Sequence, residues 1–200
     1  MQPLLSILIP TVVGREEKFE KLKWFLETQI NRTSPPLQVE IISISDNKEI
    51  SIGEKRNQLY KKAIGKFSWM IDDDDWIDFY GIHLICNAIK DNPSADCIGF
   101  KELCIYNGKK VESSNFSLKY KEWADDFDGF NHVRTPFHKT PILTKICQEV
   151  GVKDMRYGED HQFAKDIYPL LENEVYIDEF IYIYRHNDSE EHNKKYGIGL

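Results

Sequence analysis

The chain has 200 residues, of which 41% are hydrophobic and 30% are charged, as expected of one soluble globular domain with a substantial core. Its formal net charge of −7 disfavours non-specific attraction to nucleic acid or anionic lipid, although 26 Lys and Arg leave room for a local basic groove. No apolar run approaches the roughly 20 residues that span a bilayer. The opening MQPLLSILIP lacks a basic region and a small-residue cleavage site, so it predicts a strand and not a signal peptide.

The four cysteines, Cys86, Cys97, Cys104 and Cys147, form no CxxC pair, and two of them lie in apolar periodic segments. We interpret them as reduced core residues, which favours a cytoplasmic location.

The first half of the chain alternates strands with helices. Apolar runs and helical spacing predict strands over 4–10, 39–45 and 68–71, and helices over 16–28, 52–63 and 79–90. This alternation predicts an α/β sheet, in which ligands bind beyond the carboxyl ends of the strands.

The second half lacks that regular alternation, which predicts a mixed extension of the same sheet. Asn107-Gly108 predicts a hairpin within 97–113, and 114–128, which has no clear period, is expected to be a loop. Helices are predicted over 140–150 and 158–171, and a strand over 175–185. We expect 187–200, which is polar and contains Gly, to be a poorly ordered tail.

Four consecutive aspartates, Asp72 to Asp75, follow the third predicted strand. Adjacent like charges about 4 Å apart repel by roughly 1 kcal/mol in water and about 4 kcal/mol at an effective dielectric near 20. A divalent cation held by carboxylate oxygens is the simplest way to offset that repulsion. The alternative is an acidic turn with helix-capping aspartates. Because Pro10-Thr11 and Asp46-Asn47 also follow predicted strands, the three stretches are expected to meet at one edge of the sheet, which favours a ligand site.

Four segments in order, LSILIPT, EIISISDN, GEKRNQLYKKAIGKFSWMIDDDD and RYGEDHQFAKDI, resemble glycosyltransferase family 2, the inverting enzymes of the GT-A fold. The resemblance covers about Leu4 to Arg185. It implies an α/β fold of the GT-A (Rossmann-like) type, in which a mixed sheet is flanked by helices in a single domain. That domain would span 1–186, with a nucleotide-binding half (1–103) and an acceptor or catalytic half (104–186), followed by a tail (187–200).

The resemblance also implies roles for individual residues. The nucleotide-binding residues would be Pro10, Thr11, Arg15, Asp46, Asn47, Arg56, Asp72 and Asp73.

For the catalytic machinery, the resemblance implies that Asp74, the last residue of a DxD motif, contacts Mn²⁺ or Mg²⁺. In several GT-A enzymes a late histidine completes the metal site, and His186 would fill that place; the alternative is an exposed tail histidine. Asp160 would be the general base, with Glu159 beside it as a second catalytic candidate. His138 and Lys139 would face the acceptor or the diphosphate, or else lie in a surface loop.

We therefore expect a soluble, metal-dependent inverting glycosyltransferase that moves a sugar from a nucleotide-sugar donor, such as a UDP-sugar, to a hydroxyl acceptor on a glycan, a protein or a modified DNA base. Nucleic acid would be a partner only as that acceptor, and no membrane span is expected. Two alternatives stay open, a nucleotidyltransferase and a non-catalytic nucleotide-sugar binder. The first usually has a Gly-rich phosphate loop after the first strand, where this chain has only Gly14-Arg15, and the second would be expected to lack the DxD motif or Asp160.

Overall fold

The computed structural model describes residues 2–186, which form one mixed ten-stranded sheet with helices on both faces. The strands are β1 (Leu5–Val12), β2 (Val39–Asp46), β3 (Phe67–Met70), β4 (Trp76–Ile77), β5 (Cys97–Tyr106), β6 (Lys110–Phe116), β7 (Ala124–Phe127), β8 (Phe130–Arg134), β9 (Ile142–Leu143) and β10 (Glu174–His186). The helices are α1 (Glu16–Ile30), α2 (Ile52–Lys62), α3 (Gly81–Asp91), α4 (Thr144–Val150) and α5 (Glu159–Ile167), and a short 3-10 helix, Tyr168–Leu170, follows α5.

The first half matches the predicted α/β alternation. All six predicted elements are present, and their ends differ from the prediction by at most two residues. β1 pairs in parallel with both β2 and β3. Being covered on both faces, it is almost entirely apolar, as a buried parallel strand requires.

The helices divide between the two faces of the sheet. Ile7 and Ile9 of β1 pack in one apolar cluster with residues of α1 and α3, whereas Leu8 packs in a second cluster with residues of α2, α4 and α5. This alternation follows from the period of two along a strand. The fold is thus a helix–sheet–helix sandwich, as the sequence predicts.

The second half extends the sheet with strands in both directions. The predicted hairpin is present as β5 and β6, which pair antiparallel around Asn107-Gly108. β10 runs parallel to β5 and also pairs antiparallel with the two-residue strand β4. Because β4 directly follows the aspartates, this pairing brings the end of β10 against the acidic cluster.

Two predictions for this half were wrong. The segment 114–128 is not a loop: it contains the end of β6 and the whole of β7, which forms a hairpin with β8. Asp128-Gly129 at its turn has positive φ at both residues (56° and 81°), the signature of a tight hairpin turn. The helix predicted over 140–150 begins only at Thr144, because Ile142–Leu143 forms β9 between β3 and β5.

Residues 2–186 are the described part of the chain, so the predicted domain range 1–186 stays a prediction. The predicted boundary between halves, 103/104, falls inside β5. The predicted tail, 187–200, lies outside the described residues. None of the helices within 2–186 has the length and hydrophobicity needed to cross a membrane.

Candidate functional site

Asp73 and Asp74, the middle two of the four aspartates, lie beside Arg15 close to the carboxyl end of β1. Asp73 is buried, and its carboxylate accepts hydrogen bonds from Thr11 Oγ1 at 2.5 Å and from Arg15 Nη1 at 2.6 Å. The Asp74 carboxylate lies 3.1 Å from the same Nη1 atom, and its side chain is 34% exposed. Asp74 is therefore the more accessible of the two.

The other two aspartates are joined by Tyr182 of β10. The Tyr182 hydroxyl donates to Asp75 Oδ2 at 2.8 Å and accepts from the Asp72 backbone N–H at 3.2 Å. Asp75 is buried, and its Oδ1 also accepts from the Arg185 backbone N–H at 3.0 Å. The Asp72 carboxylate is held by Arg56 Nη2 at 3.1 Å. The sequence gave no indication of the role of Tyr182, because Tyr182 follows Asp72 by 110 residues and only the fold brings the two together.

Protein cations already offset much of the repulsion among the aspartates. Arg15 contacts Asp73 and Asp74, Arg56 contacts Asp72, and Lys139 Nζ lies 3.8 Å from Asp75. Protein cations therefore share in balancing these carboxylates, and the divalent cation that the sequence suggests as the simplest counter-charge stays a prediction. Burial still raises the pKa of Asp74, and it raises the pKa of Asp75 to about 7.

Lys55 is a site residue that the sequence analysis missed. Ser51 caps α2 by accepting from the Glu54 N–H at 3.0 Å, and this start of the helix turns Lys55 and Arg56 inward. Lys55 Nζ donates to the Thr11 carbonyl at 2.6 Å and forms an ion pair with Asp46. The lysine thereby ties the end of β1 to the end of β2. The sequence feature that could have predicted this role is the position of Lys55 directly before Arg56, on the inner face of an amphipathic helix.

Asp46, the last residue of β2, and Asn47, which follows it, lie in different environments. Asp46 accepts from the Ile50 N–H at 3.0 Å as well as from Lys55, whose contact lowers the pKa of Asp46. Asn47 is exposed, and its backbone N–H donates to Glu49 Oε2 at 2.6 Å. Whether either residue contacts a nucleotide base stays a prediction.

Two cavities meet at this edge of the sheet. The first, which we call the nucleotide cleft, has a volume of about 220 Å³. It is lined by most of the predicted nucleotide-binding and metal residues: Pro10, Thr11, Arg15, Arg56, Asp72, Asp73 and Asp74, together with Lys55.

The second cavity, which we call the inner cavity, has a volume of about 350 Å³ and is lined by the two predicted catalytic residues, Glu159 and Asp160. Arg56 and Asp72 line both the inner cavity and the nucleotide cleft. The fold thus brings the acidic cluster and the start of α5 to adjoining spaces, although they are more than 80 residues apart in the sequence. A larger cavity of about 600 Å³ lies at the opposite ends of β3 and β5 and contains none of the predicted site residues.

Glu159 and Asp160 differ in what they contact. Glu159 is buried and forms an ion pair with Arg56 Nη1; burial raises its pKa, against the opposing effect of Arg56. Asp160 is half-buried, and its Oδ1 accepts from the His161 backbone N–H at 2.7 Å. Asp160 forms no ion pair with any other described residue. Its carboxylate is therefore the one in this pair that is available to a ligand.

His138 and Lys139 are buried and do not lie in a surface loop, so that alternative was wrong. Lys139 Nζ donates to Glu102 Oε2 at 2.8 Å and lies over the ring of Tyr184 at 4.1 Å. The whole segment 135–140 is buried, because it passes between the end of β3 and the β5–β6 hairpin.

The predicted metal ligands are not joined in a preformed cage. Within residues 2–186, no group of three or more His, Cys, Asp or Glu side chains is arranged to hold a metal ion. His186 packs its ring against Tyr106 and Tyr184, with Nδ1 3.2 Å from the Tyr184 hydroxyl. Its role as a ligand stays a prediction.

A divalent cation nevertheless fits the chemistry of Asp74. Mg²⁺ is usually bound by one or two carboxylates, the phosphates of the substrate and water, and not by an all-protein cage. Asp74 offers a partly exposed carboxylate that lines the nucleotide cleft. The residue set is thus compatible with a metal that binds together with a diphosphate.

No family model matches the sequence, and no curated protein matches it. Among solved structures, TarS 1-349 from S. aureus in complex with UDP-GlcNAc superposes with a TM-score of 0.67 at 17% identity, over 96% of this chain and 61% of that one. The fold is GT-A-like. The same TarS fragment in complex with UDP gives a TM-score of 0.64 at 18% identity, over 98% and 63% of the two chains.

A more distant structure has the same architecture. Mannosyltransferase PcManGT from Pyrobaculum calidifontis, in complex with GDP-Man and Mn²⁺, gives a TM-score of 0.55 at 10% identity, over 92% of this chain and 57% of that one. The chain spans about three fifths of the length of the TarS fragment and of PcManGT, and 37% of the longer TarS chain. At such low identities the likeness establishes the GT-A-like fold, and activity has to be argued from the site.

Proposed function

We propose that this protein is a metal-dependent, inverting glycosyltransferase of the family 2 type, whose donor is a nucleotide sugar of the UDP-sugar class and whose acceptor is a hydroxyl group. One observation carries the proposal: the nucleotide cleft and the inner cavity adjoin at Arg56 and Asp72. A donor whose diphosphate lies against Asp74 can then extend its sugar toward Asp160.

The charge distribution supports this placement of the donor. Arg15, Lys55 and Arg56 line the nucleotide cleft and supply cations near a diphosphate. Burial would lower the pKa of Arg56, but the neighbouring Asp72 and Glu159 carboxylates raise it above its ordinary value, so this guanidinium stays charged. A bound Mn²⁺ or Mg²⁺ at Asp74 would offset the charge that develops on the leaving diphosphate.

The proposed reaction is a direct displacement. The acceptor oxygen bonds to the anomeric carbon while the bond from that carbon to the β-phosphate oxygen breaks, and its electron pair leaves with the nucleoside diphosphate. Asp160 accepts the proton of the acceptor hydroxyl. Attack from the face opposite the leaving group inverts the anomeric centre. Glu159 serves a different purpose in this scheme, because its ion pair holds Arg56 between the two cavities.

The neighbours' ligands support a nucleotide-sugar donor, since TarS was crystallised with UDP-GlcNAc and PcManGT with GDP-Man and Mn²⁺. We place the enzyme in the cytoplasm, where four free, buried cysteines are compatible with a reducing environment. The acceptor remains in the same three classes that the sequence suggests: a glycan, a protein or a modified DNA base.

A donor-hydrolysis screen tests the proposal. Purified protein is incubated with UDP-glucose, UDP-galactose, UDP-GlcNAc and GDP-mannose, with Mn²⁺ or with EDTA, and released nucleotide is quantified. We expect release from at least one donor with Mn²⁺ and none in EDTA. Asp74→Asn should abolish release, whereas Asp91→Asn, a change at an exposed residue at the end of α3, should not. If the protein neither binds a nucleotide nor hydrolyses a nucleotide sugar in the presence of Mn²⁺, the proposal is wrong.

A further inference from the structure

His138 is a buried polar side chain that lacks a hydrogen-bond partner within residues 2–186. It is 3% exposed, it lines the inner cavity, and neither Nδ1 nor Nε2 has a partner among the described residues. Buried polar groups are almost always hydrogen-bonded, and one left unpaired is destabilising. A position that retains an imidazole under these conditions calls for an explanation.

The surroundings fix this side chain in place. The His138 carbonyl accepts from the backbone N–H of Met70, the last residue of β3, at 3.1 Å. The Phe137 ring packs edge-on against the imidazole with the ring centroids 4.8 Å apart. The turn that contains His138 is closed by Thr140, whose Oγ1 accepts from the Phe137 N–H at 2.9 Å. The imidazole is therefore held beside the inner cavity by the backbone hydrogen bond to β3, the turn and the packing of Phe137.

The charged neighbours of His138 are already engaged with one another. Arg56 directs Nη1 to Glu159 and Nη2 to Asp72, while its Nε is buried without a hydrogen-bond partner among the described residues. Lys139 Nζ is held by Glu102 at 2.8 Å. Burial lowers the pKa of His138 well below its usual value, and the charges of Arg56 and Lys139 act in the same direction. A neutral imidazole offers one N–H donor and one nitrogen acceptor.

We propose that His138 is a specificity-determining residue that hydrogen-bonds a hydroxyl group of the transferred sugar, and that this sugar is uncharged; the inference rests on the function proposed above. A hydroxyl both donates and accepts, so it complements an imidazole that has one nitrogen of each kind. His138 lines the inner cavity and is absent from the lining of the nucleotide cleft, which assigns it to the sugar and not to the nucleotide.

The carboxylates of the inner cavity favour an uncharged sugar. Glu159 and Glu102 are paired with Arg56 and Lys139, but Asp160 forms no ion pair with another described residue. A sugar that carries its own carboxylate would bring a second negative charge beside Asp160. Each Lys or Arg among the described residues that line this cavity is already paired: Arg56 with Glu159, Lys139 with Glu102 and Arg134 with Asp125. Like charges in a partly desolvated cavity repel strongly.

The test separates the contribution of the sugar from that of the nucleotide. Calorimetry with Mn²⁺ measures the affinities of UDP, GDP, UDP-glucose, UDP-galactose, UDP-GlcNAc, UDP-glucuronic acid and GDP-mannose. The quantity of interest is the ratio between the affinity of a nucleotide sugar and that of its own nucleoside diphosphate. For wild type we expect this ratio to exceed one for at least one uncharged sugar and not for UDP-glucuronic acid.

In His138→Phe the ratio for the preferred sugar should fall by about tenfold, the effect expected on losing hydrogen bonds in a desolvated site. The affinity for the nucleoside diphosphate should stay within about twofold of wild type, since the nucleotide cleft is untouched. His138→Gln, whose amide retains a donor and an acceptor, should recover part of the ratio. Thermal unfolding should show His138→Phe to be at least as stable as wild type, because it removes a buried unpaired group.

His132→Phe is the matched control. His132 also lines the inner cavity, but its nitrogens lie 2.9 Å from Asp125 Oδ1 and 3.0 Å from Glu112 Oε2. Its loss should lower stability and leave the sugar ratio unchanged.

A ratio that is unchanged in His138→Phe would overturn the inference, as would a wild-type ratio of one for every sugar or equally tight binding of UDP-glucuronic acid. If UDP or GDP still binds to the protein in the presence of Mn²⁺, each of these results contradicts the inference alone, and the proposed function stands. If no nucleoside diphosphate binds at all, both the inference and the proposed function fail.

Discussion

Arg15 Nη1 lies 3.1 Å from Asp74 Oδ2, so a protein cation already contacts the carboxylate that we propose for the metal. A divalent cation on Asp74 would bind next to this guanidinium and be repelled by it. Arg15→Gln should therefore strengthen the binding of Mn²⁺ in the absence of nucleotide. The Arg15 side chain is 41% exposed, and such ion pairs are worth about 0.2–1 kcal/mol, so the gain should be no more than about fivefold.

Titration of Mn²⁺ followed by electron paramagnetic resonance measures this affinity directly. Lys21→Gln is the control, since Lys21 is exposed and pairs with Glu17 along α1. Unchanged or weaker binding of Mn²⁺ in Arg15→Gln would show that Arg15 does not compete with the metal.

The Lys55–Asp46 ion pair should contribute to stability, because it joins the ends of β1 and β2 in a nearly buried position. Lys55→Met leaves Asp46 without its cation, and loss of one partner of a buried pair costs about 3–5 kcal/mol. Urea unfolding of Lys55→Met and wild type at pH 7 measures the difference. Lys62→Met, at an exposed position of the same helix, should have little effect.

The same pair predicts a dependence on pH. Lys55 lowers the pKa of Asp46 below its ordinary 3.8, so the stabilisation is fully present above that pH and is lost as the pH falls through the lower folded-state value. The stability gap between wild type and Lys55→Met should consequently narrow in acid below pH 3.8. A gap that is constant down to pH 2 would mean that the ion pair is not its origin.

Local sequence patterns were sufficient to predict the six main elements of the first half, but not the two-residue strand β4 or the side-chain partners. The apolar runs of β1 and β3 and the helical spacing of α1 each indicate which residues of that segment are buried. Tyr182 and Lys139 contact Asp75 from distant parts of the chain, so no local pattern identifies them. The charge balance of the aspartates could not be derived for the same reason.

The missed β7–β8 hairpin has a different cause. Asp128-Gly129 is a strong turn signal, but the flanking strands are short and polar, and three of the four β7 residues are exposed. The alternation of apolar and polar residues that predicts a half-buried strand is therefore absent from β7. The burial of His138 could not be predicted either, because only the fold shows that its ring is buried and has no hydrogen-bond partner among the described residues.

All four cysteines should be unreactive in the folded protein. They are free and buried, and burial raises the pKa of Cys86 and of Cys104 to about 12. The thiolate is the reactive form, so little of it is present at pH 8. A colorimetric thiol titration should detect no fast-reacting group in the native state and all four cysteines in urea. A stoichiometric fast phase in native protein would contradict the buried, reduced state.

Asp160 and Glu159 are neighbours in the chain, and their different contacts predict different phenotypes. Asp160→Asn removes a carboxylate that forms no ion pair with another described residue, so stability and the affinities for nucleotide and Mn²⁺ should be close to wild type. Glu159→Gln removes the carboxylate of a buried ion pair with Arg56, which lines both cavities. It should lower both stability and donor affinity.

Turnover decides which of the two is the base. If Asp160 accepts the acceptor's proton, its loss should act on kcat far more than on donor binding, and general-base catalysis is typically worth about 10²–10⁴ in rate, or roughly 3–5 kcal/mol. We therefore expect transfer by Asp160→Asn to fall at least about a hundredfold, in the same preparation that shows normal nucleotide titration. Transfer is measured with an identified hydroxyl acceptor and the donor selected by the hydrolysis screen. Unchanged turnover in Asp160→Asn, together with loss in Glu159→Gln beyond its weaker donor binding, would reassign the base to Glu159. Retained turnover in both would place proton transfer outside the start of α5.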